Sequence, residues 1–202
     1  MVRFSASLLL SIIALSACTT NVVVEGTVPT PLVAKIPADV GVYYDERFRN
    51  FVHTEAIREE GTWNIDLGEQ NLSFFRKLTR AMFKSVVEVN SPELTEEQKS
   101  ELDGLVIPRI EKYGFLTPGI SGLKFFSASI HYRIIVLNQN NENVAEYVVV
   151  GYGKSEAGLF GSGDALGEAT MLAIRDGGTR IAIELSQQPA IVAWLAQREG
   201  AD

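Results

Sequence analysis

Two long apolar runs, Phe125–Leu137 and Val144–Gly153, flank a polar gap at 138–143 that contains QNNEN. This is the strongest strand signal in the chain, and it predicts a long antiparallel hairpin. A glycine-rich stretch over 154–163 follows it, and then an apolar pattern over 164–186 at helical spacing. Leu166, Thr170, Ala173, Ile174, Ile181 and Leu185 form its apolar side. The Gly177–Gly178 pair weakens this helix and is expected to kink it. A last short helix is expected over Pro189–Gln197, carrying Trp194.

Upstream, ADVGVYYD at 38–45 reads as a buried strand. GTWNIDL at 61–67 alternates, with Trp63, Ile65 and Leu67 on one side and Thr62, Asn64 and Asp66 on the other, which is a strand pattern. Residues 46–56, with Phe48 and Phe51, read as a short helix or an irregular excursion. Asn71 is a candidate N-cap for a helix running to about Val87, with Leu72, Phe75, Leu78, Met82 and Phe83 at helical spacings. Its tail, Ser85–Val89, also reads as a strand. Residues 91–101 are acidic and solvent-facing. Pro108 makes 103–115 an edge or bulged strand, because proline cannot donate to a ladder, and TPGISG at 117–122 is a turn. The expected fold class is α+β, a single mixed or antiparallel sheet with helices packed mainly on one face.

The N-terminus says where the chain works. Arg3 is the only charge ahead of the apolar segment Leu8–Ala17, which ends in LSAC at 15–18. The run is shorter than the roughly 20 residues a membrane-spanning helix needs. It has the layout of an export signal: a basic start, an apolar middle and small residues before the cleavage point. LSAC resembles the lipobox of bacterial lipoprotein precursors, which implies cleavage before Cys18 and lipid on its sulfur. The expected organisation is a signal peptide over 1–17, a membrane-proximal tether over 18–37 and one periplasmic domain over 38–202. An edge strand formed by Val22–Val24 is the competing reading of the tether. Lipoproteins sorted to the inner membrane resemble one another in an aspartate after the cysteine. Here that residue is Thr19, which implies the outer membrane, facing the periplasm.

Composition narrows the function. The chain has 25 acidic and 18 basic residues and a net charge of −7, which argues against a nucleic-acid binder. Cys18 is the only cysteine, so a lipidated chain has no thiol left for a disulfide, a nucleophile or a metal site. GYGKS at 151–155 is not a phosphate loop, since the glycine required at position 148 is a valine. His53 and His131 are the only histidines, and a His53/Glu55 pair falls short of a zinc site. Neither a nucleophile elbow nor a Ser–His–Asp set is present. The sequence therefore predicts no enzyme, no cofactor and no metal. Tyr44, adjacent to Tyr43 in an alternating strand, and Leu159 and Phe160, in the glycine-rich loop, are the candidate partner contacts.

The lipobox, the P-x-x-V-G-V-Y-Y opening at 37–44, IPRIEKYGF at 107–115 and the hairpin-plus-helix end together resemble a broad family. It comprises small periplasmic lipoproteins of envelope assembly and transport systems. The domain is similar to the N-terminal domain of the translocation protein TolB and to the lipopolysaccharide-assembly lipoprotein. The resemblance implies a non-catalytic role, with an envelope protein or a second copy as partner and the membrane reached through Cys18. The alternative is a carrier of a lipid or other apolar ligand, which would need a cavity lined by Tyr43, Phe83, Phe126 and Trp194.

Overall fold

The structure is a computed structural model that describes residues 19–157 and 161–199. It contains two sheets rather than the single one expected. The larger has five strands in the order β5 (Phe83–Val89), β2 (Ile36–Tyr43), β6 (Gly104–Leu116), β7 (Phe125–Asn138), β8 (Asn143–Glu156). β2 runs parallel to both β5 and β6, while β6, β7 and β8 are antiparallel. The smaller sheet has three strands in the order β1 (Thr19–Val23), β4 (Gly61–Asp66), β3 (Val52–Ile57). β1 is parallel to β4, and β3 antiparallel to it. β1 overlaps the edge strand that Val22–Val24 offered as the competing reading of the tether, while β3 is not evident in the sequence pattern; each has one partner and leaves most of its side chains in water.

Among the described residues there are six helices: α1 (Glu46–Arg49), α2 (Gly68–Met82), α3 (Glu96–Glu101), α4 (Pro118–Ser121), α5 (Ser162–Glu184) and α6 (Pro189–Glu199), with a 3-10 turn at Leu185–Gln187 between the last two. α2 starts three residues earlier than Asn71. Asn71 lies inside the first turns, fully buried, donating to the Leu67 carbonyl and accepting from the Tyr132 hydroxyl. α2 and α5 cover one face of the large sheet. Below them Phe75, Leu78, Met82, Ile130, Tyr132, Ile134, Leu166 and Ile174 fill the main core. The small sheet packs beside them, where Trp63 meets Phe115 at 5.7 Å and Phe126 at 6.3 Å between ring centroids. A second cluster, Val89, Leu94, Leu102, Leu105 and Ile107, sits apart from the main core, and half-buried Tyr43 packs against it.

The predicted hairpin is the spine of the large sheet. On β8 the inward positions are Val149, Gly151, Gly153 and Ser155, and the outward positions between them are exposed. Small residues on α5 face them. A Cβ at Gly153 would run into the Ala169 carbonyl oxygen, and one at Gly151 into that of Ala173. The Ser155 hydroxyl donates to the Ala165 carbonyl. Two strand residues advance about 6.7 Å and four helix residues about 6 Å, so β8 at every second residue meets α5 at every fourth. The glycines of GYGKS therefore serve close packing. Gly177 and Gly178 do the same: their missing side chains leave room for the rings of Tyr132 and Phe74, and α5 runs on through them as one helix. Pro108 is tolerated in a strand with neighbours on both sides because β2 pairs with β6 only at Gly104–Val106. The pairing of β6 with β7 shifts register between Ile110 and Lys112, so Glu111 is the bulged residue.

The segment read as a tether is held to the domain. Thr19–Val23 pairs with β4, Val22 and Val24 are buried, and residues beyond them strap α2 and α5. Gln70 donates to the Gly26 carbonyl at 3.1 Å and Arg175 to that of Thr27 at 2.5 Å.

Gly153→Ala should therefore cost about 1–3 kcal/mol, the usual range for overpacking. Gly114→Ala, whose Cβ would lie no closer than 3.7 Å to the Ser129 hydroxyl, should stay within about 0.5 kcal/mol of the parent, typical of an unstrained site. Urea unfolding of both variants is the check.

Candidate functional site

The largest cleft lies where the two sheets approach each other with unpaired edges. β3 is the outer strand of the small sheet. Beyond Val106, β6 has no strand on its β2 side among the described residues. Between them is an open hollow of about 770 Å³, with α1 at one end. Arg47, Phe51, His53, Glu111, Lys112 and Tyr113 are among the side chains that line it.

Each wall is fixed by local chemistry. The Asp45 carboxylate caps α1, accepting the Phe48 N–H at 2.7 Å. Phe48 is buried, 5.6 Å from the Tyr44 ring and edge-on to Phe75 at 5.2 Å. Arg49 ties the same helix to the large sheet, donating to the Tyr44 carbonyl at 2.9 Å and pairing with Glu88 of β5 at 2.5 Å. Arg76 meets the same carboxylate at 2.9 Å. Hydrogen bonds first from Arg76 and then from Arg49 hold the Glu88 carboxyl below its ordinary range. On the other wall His53 stacks edge-on against Tyr113 at 5.1 Å and lies 3.1 Å from the Glu55 carboxylate. Burial raises the Tyr113 hydroxyl well above its ordinary pKa, and that hydroxyl is bonded to Thr170 at 2.7 Å. Arg133 bridges Glu111 and Glu146 on the outer face of the sheet. Arg47 and Lys112 have no acidic partner among the described residues, so the cleft offers two cations beside aromatic walls.

The shifted tyrosines are shifted by burial: Tyr44 is pushed up to about 12 inside the core, and Tyr132 is raised well above its ordinary value where it is fully enclosed. Among the described residues no three His, Cys, Asp or Glu side chains come together as metal ligands would.

Tyr44 needs correction as a partner contact. Only 2% of it is exposed, because it follows the last residue of β2 and packs against Phe48. Its neighbour Tyr43 points the other way, as strand alternation requires. Cys18, Leu159 and Phe160 lie outside the described residues. Tyr43, Phe83, Phe126 and Trp194 do not surround one cavity: Tyr43 belongs to the second cluster, and the other three are buried in the filled main core. The sequence pattern does not single out the cleft residues, because β3 carries little strand signal. Its only signal is the weak alternation of VHTEAI at 52–57.

No family model matches the chain, and no curated protein matches it. Solved structures do. A Helicobacter pylori protein described as a homolog of a neuraminyllactose-binding hemagglutinin is similar at 10% identity and a TM-score of 0.55, over 84% of this chain and 96% of that one. A Xanthomonas campestris protein of the family DUF330 is similar at 12% identity and a TM-score of 0.52, over 92% of this chain and 99% of that one. At such identities the likeness is one of fold.

The Glu88 ion pairs give a pH test. A carboxyl with a lowered folded pKa adds stability that is present above the unfolded value, about 4.3 for glutamate, and is lost as pH falls through the folded value. Glu88→Gln should lower the melting temperature at pH 7 and leave a smaller loss on acidification to pH 3 than the parent shows, read by thermal melts across that range.

Proposed function

We propose that the protein is a lipid-anchored, non-catalytic component of the bacterial cell envelope that binds an extended segment of a protein partner. The observation that carries the anchor is the LSAC string ending at Cys18, followed at once by a folded domain. Among the described residues no helix is long and apolar enough to cross a membrane, which is compatible with attachment through lipid. Thr19 after the cysteine favours the periplasmic face of the outer membrane. The resemblance to TolB-like and lipopolysaccharide-assembly lipoproteins favours an assembly or transport system.

The cleft supports the binding role. Two unpaired strand edges face one hollow, and an extended chain laid there would find backbone partners and two cationic side chains. The carrier reading has less support, since the side chains it would use are separated or packed.

Mild in-cell crosslinking followed by mass spectrometry of what co-purifies tests this reading. Recovery of one defined envelope protein is the expected result, and the double variant Arg47→Glu/Lys112→Glu should reduce that recovery several-fold with an unchanged melting temperature. Recovery alone with a stoichiometric apolar ligand would instead favour a carrier.

A further inference from the structure

The chain enters the fold at one end of the molecule, and exposed apolar side chains gather at that end. Thr19 pairs with Thr62 at the start of β4, and β1 runs parallel to β4. Whatever precedes Thr19 therefore leaves the sheet at the end that carries the β3–β4 turn. The end of β6, α4, the start of β7 and the end of β8 gather there too. The Thr117 hydroxyl donates to Glu60 of that turn at 2.6 Å, and Ala157 N–H donates to the Lys124 carbonyl at 3.2 Å. Thr20, Glu60, Thr117 and Pro118 line one shared hollow.

Three large apolar side chains stand in solvent at this end: Leu116 is 45% exposed, Ile120 47% and Leu123 50%. They are held on a firm support. Thr117 caps α4 by accepting the Ile120 N–H at 3.2 Å, Pro118 opens the turn, and Gly122 closes it at φ 67° in the left-handed region. Exposed apolar residues occur elsewhere, as on the outer face of β8. Only here do they coincide with the point where Cys18 joins the domain.

One peptide unit separates Cys18 from Thr19, about 3.8 Å between α-carbons. Thr19 is already in the sheet. An acylated Cys18 lies at the bilayer surface, so no slack remains to hold this end away from the lipid. We infer that Leu116, Ile120 and Leu123 form a membrane-docking surface that seats in the interface of the bilayer holding the Cys18 acyl chains. Apolar side chains of such surfaces enter the headgroup and acyl boundary by about 5–10 Å. The domain then stands upright, because β7 carries its far turn, with Asn140 at the tip, about 45 Å away at strand rise. Arg58 and Glu59 of the β3–β4 turn lie 3.9 Å apart, and exposed Lys124 and Glu156 flank the three apolar side chains at the same end. This proposal rests on lipidation of Cys18.

The chain's single cysteine makes the test clean, since lipidation leaves an engineered thiol as the only one. Full-length protein carrying Leu123→Cys or Asn140→Cys is purified from membranes, labelled with a fluorophore and reconstituted into phosphatidylethanolamine–phosphatidylglycerol vesicles with an acyl-chain quencher. Flotation and intact mass report the anchor. The expected result is an acylated, floating protein whose label at 123 loses most of its emission while the label at 140 keeps it. In a second variant, Ile120→Asp/Leu123→Asp with the label moved to Leu116→Cys, flotation should persist and quenching fall relative to Leu116→Cys alone. An acylated, floating protein with equal emission at 123 and 140 overturns the docking surface and leaves the anchor standing. A protein that neither floats nor carries acyl mass overturns the anchor, and the docking surface with it.

Discussion

The close contact between β8 and α5 is what the rest of the molecule depends on. Gly151, Gly153 and Ser155 let the helix backbone come down onto the strand, and Ala165, Ala169, Ala173 and Gly177 meet them at four-residue intervals. A helix held that close brings Gly177 and Gly178 against Tyr132 and Phe74. Tyr132 in turn donates to Asn71, which binds α2 into the same assembly. The path runs from strand to helix to ring to helix, and each step requires the absence of a side chain or the presence of one buried polar pair. A buried hydroxyl and amide left without each other would cost about 1–3 kcal/mol, so the network favours one arrangement of α2, α5 and the sheet.

Sheet order then determines what the surface offers. β2 stops pairing with β6 at Val106, which tolerates Pro108 and leaves the rest of β6 open on that side. α1 fills the first part of the gap, with Phe48 as its buried plug and Arg49 as its tie to Glu88. The remaining part faces the free edge of β3 across the cleft. Native sheets generally blunt such edges. Here the β6 edge carries a bulge at Glu111 and charged side chains on either side of it, a form of protection that still leaves backbone groups accessible to a matching strand.

The two ends of the large sheet differ in chemistry. At the far end Asp39, Lys84, Ser85, Asp103 and Arg198 form a polar cluster, with Lys84 above all holding the Asp39 carboxyl below its ordinary range. At the near end Leu116, Ile120 and Leu123 stand exposed, flanked by Lys124 and Glu156. A molecule anchored next to Thr19 presents its polar end to the aqueous space and its cleft along the flank.

Much was legible before the structure. The long hairpin, α5, the first half of the main sheet and the absence of a phosphate loop follow from period-2 and helical patterns and from motif spacing, which are properties of consecutive residues. The LSAC string at Cys18 is likewise a linear signal, read from the chain itself. What only the tertiary structure decided are features that join distant residues. β1 becomes a strand because β4 is there to pair with it, and β3 because a turn returns it to β4. Tyr44 lies inside because Phe48 covers it. The glycines of 151–153 and 177–178 look like flexibility in one dimension, and they act as contact surfaces only once β8 and α5 are side by side. The cleft and the apolar end have no linear signature, because pairing between strands up to 64 residues apart in sequence, as at Val40 and Gly104, sets which edges stay open and which ends meet.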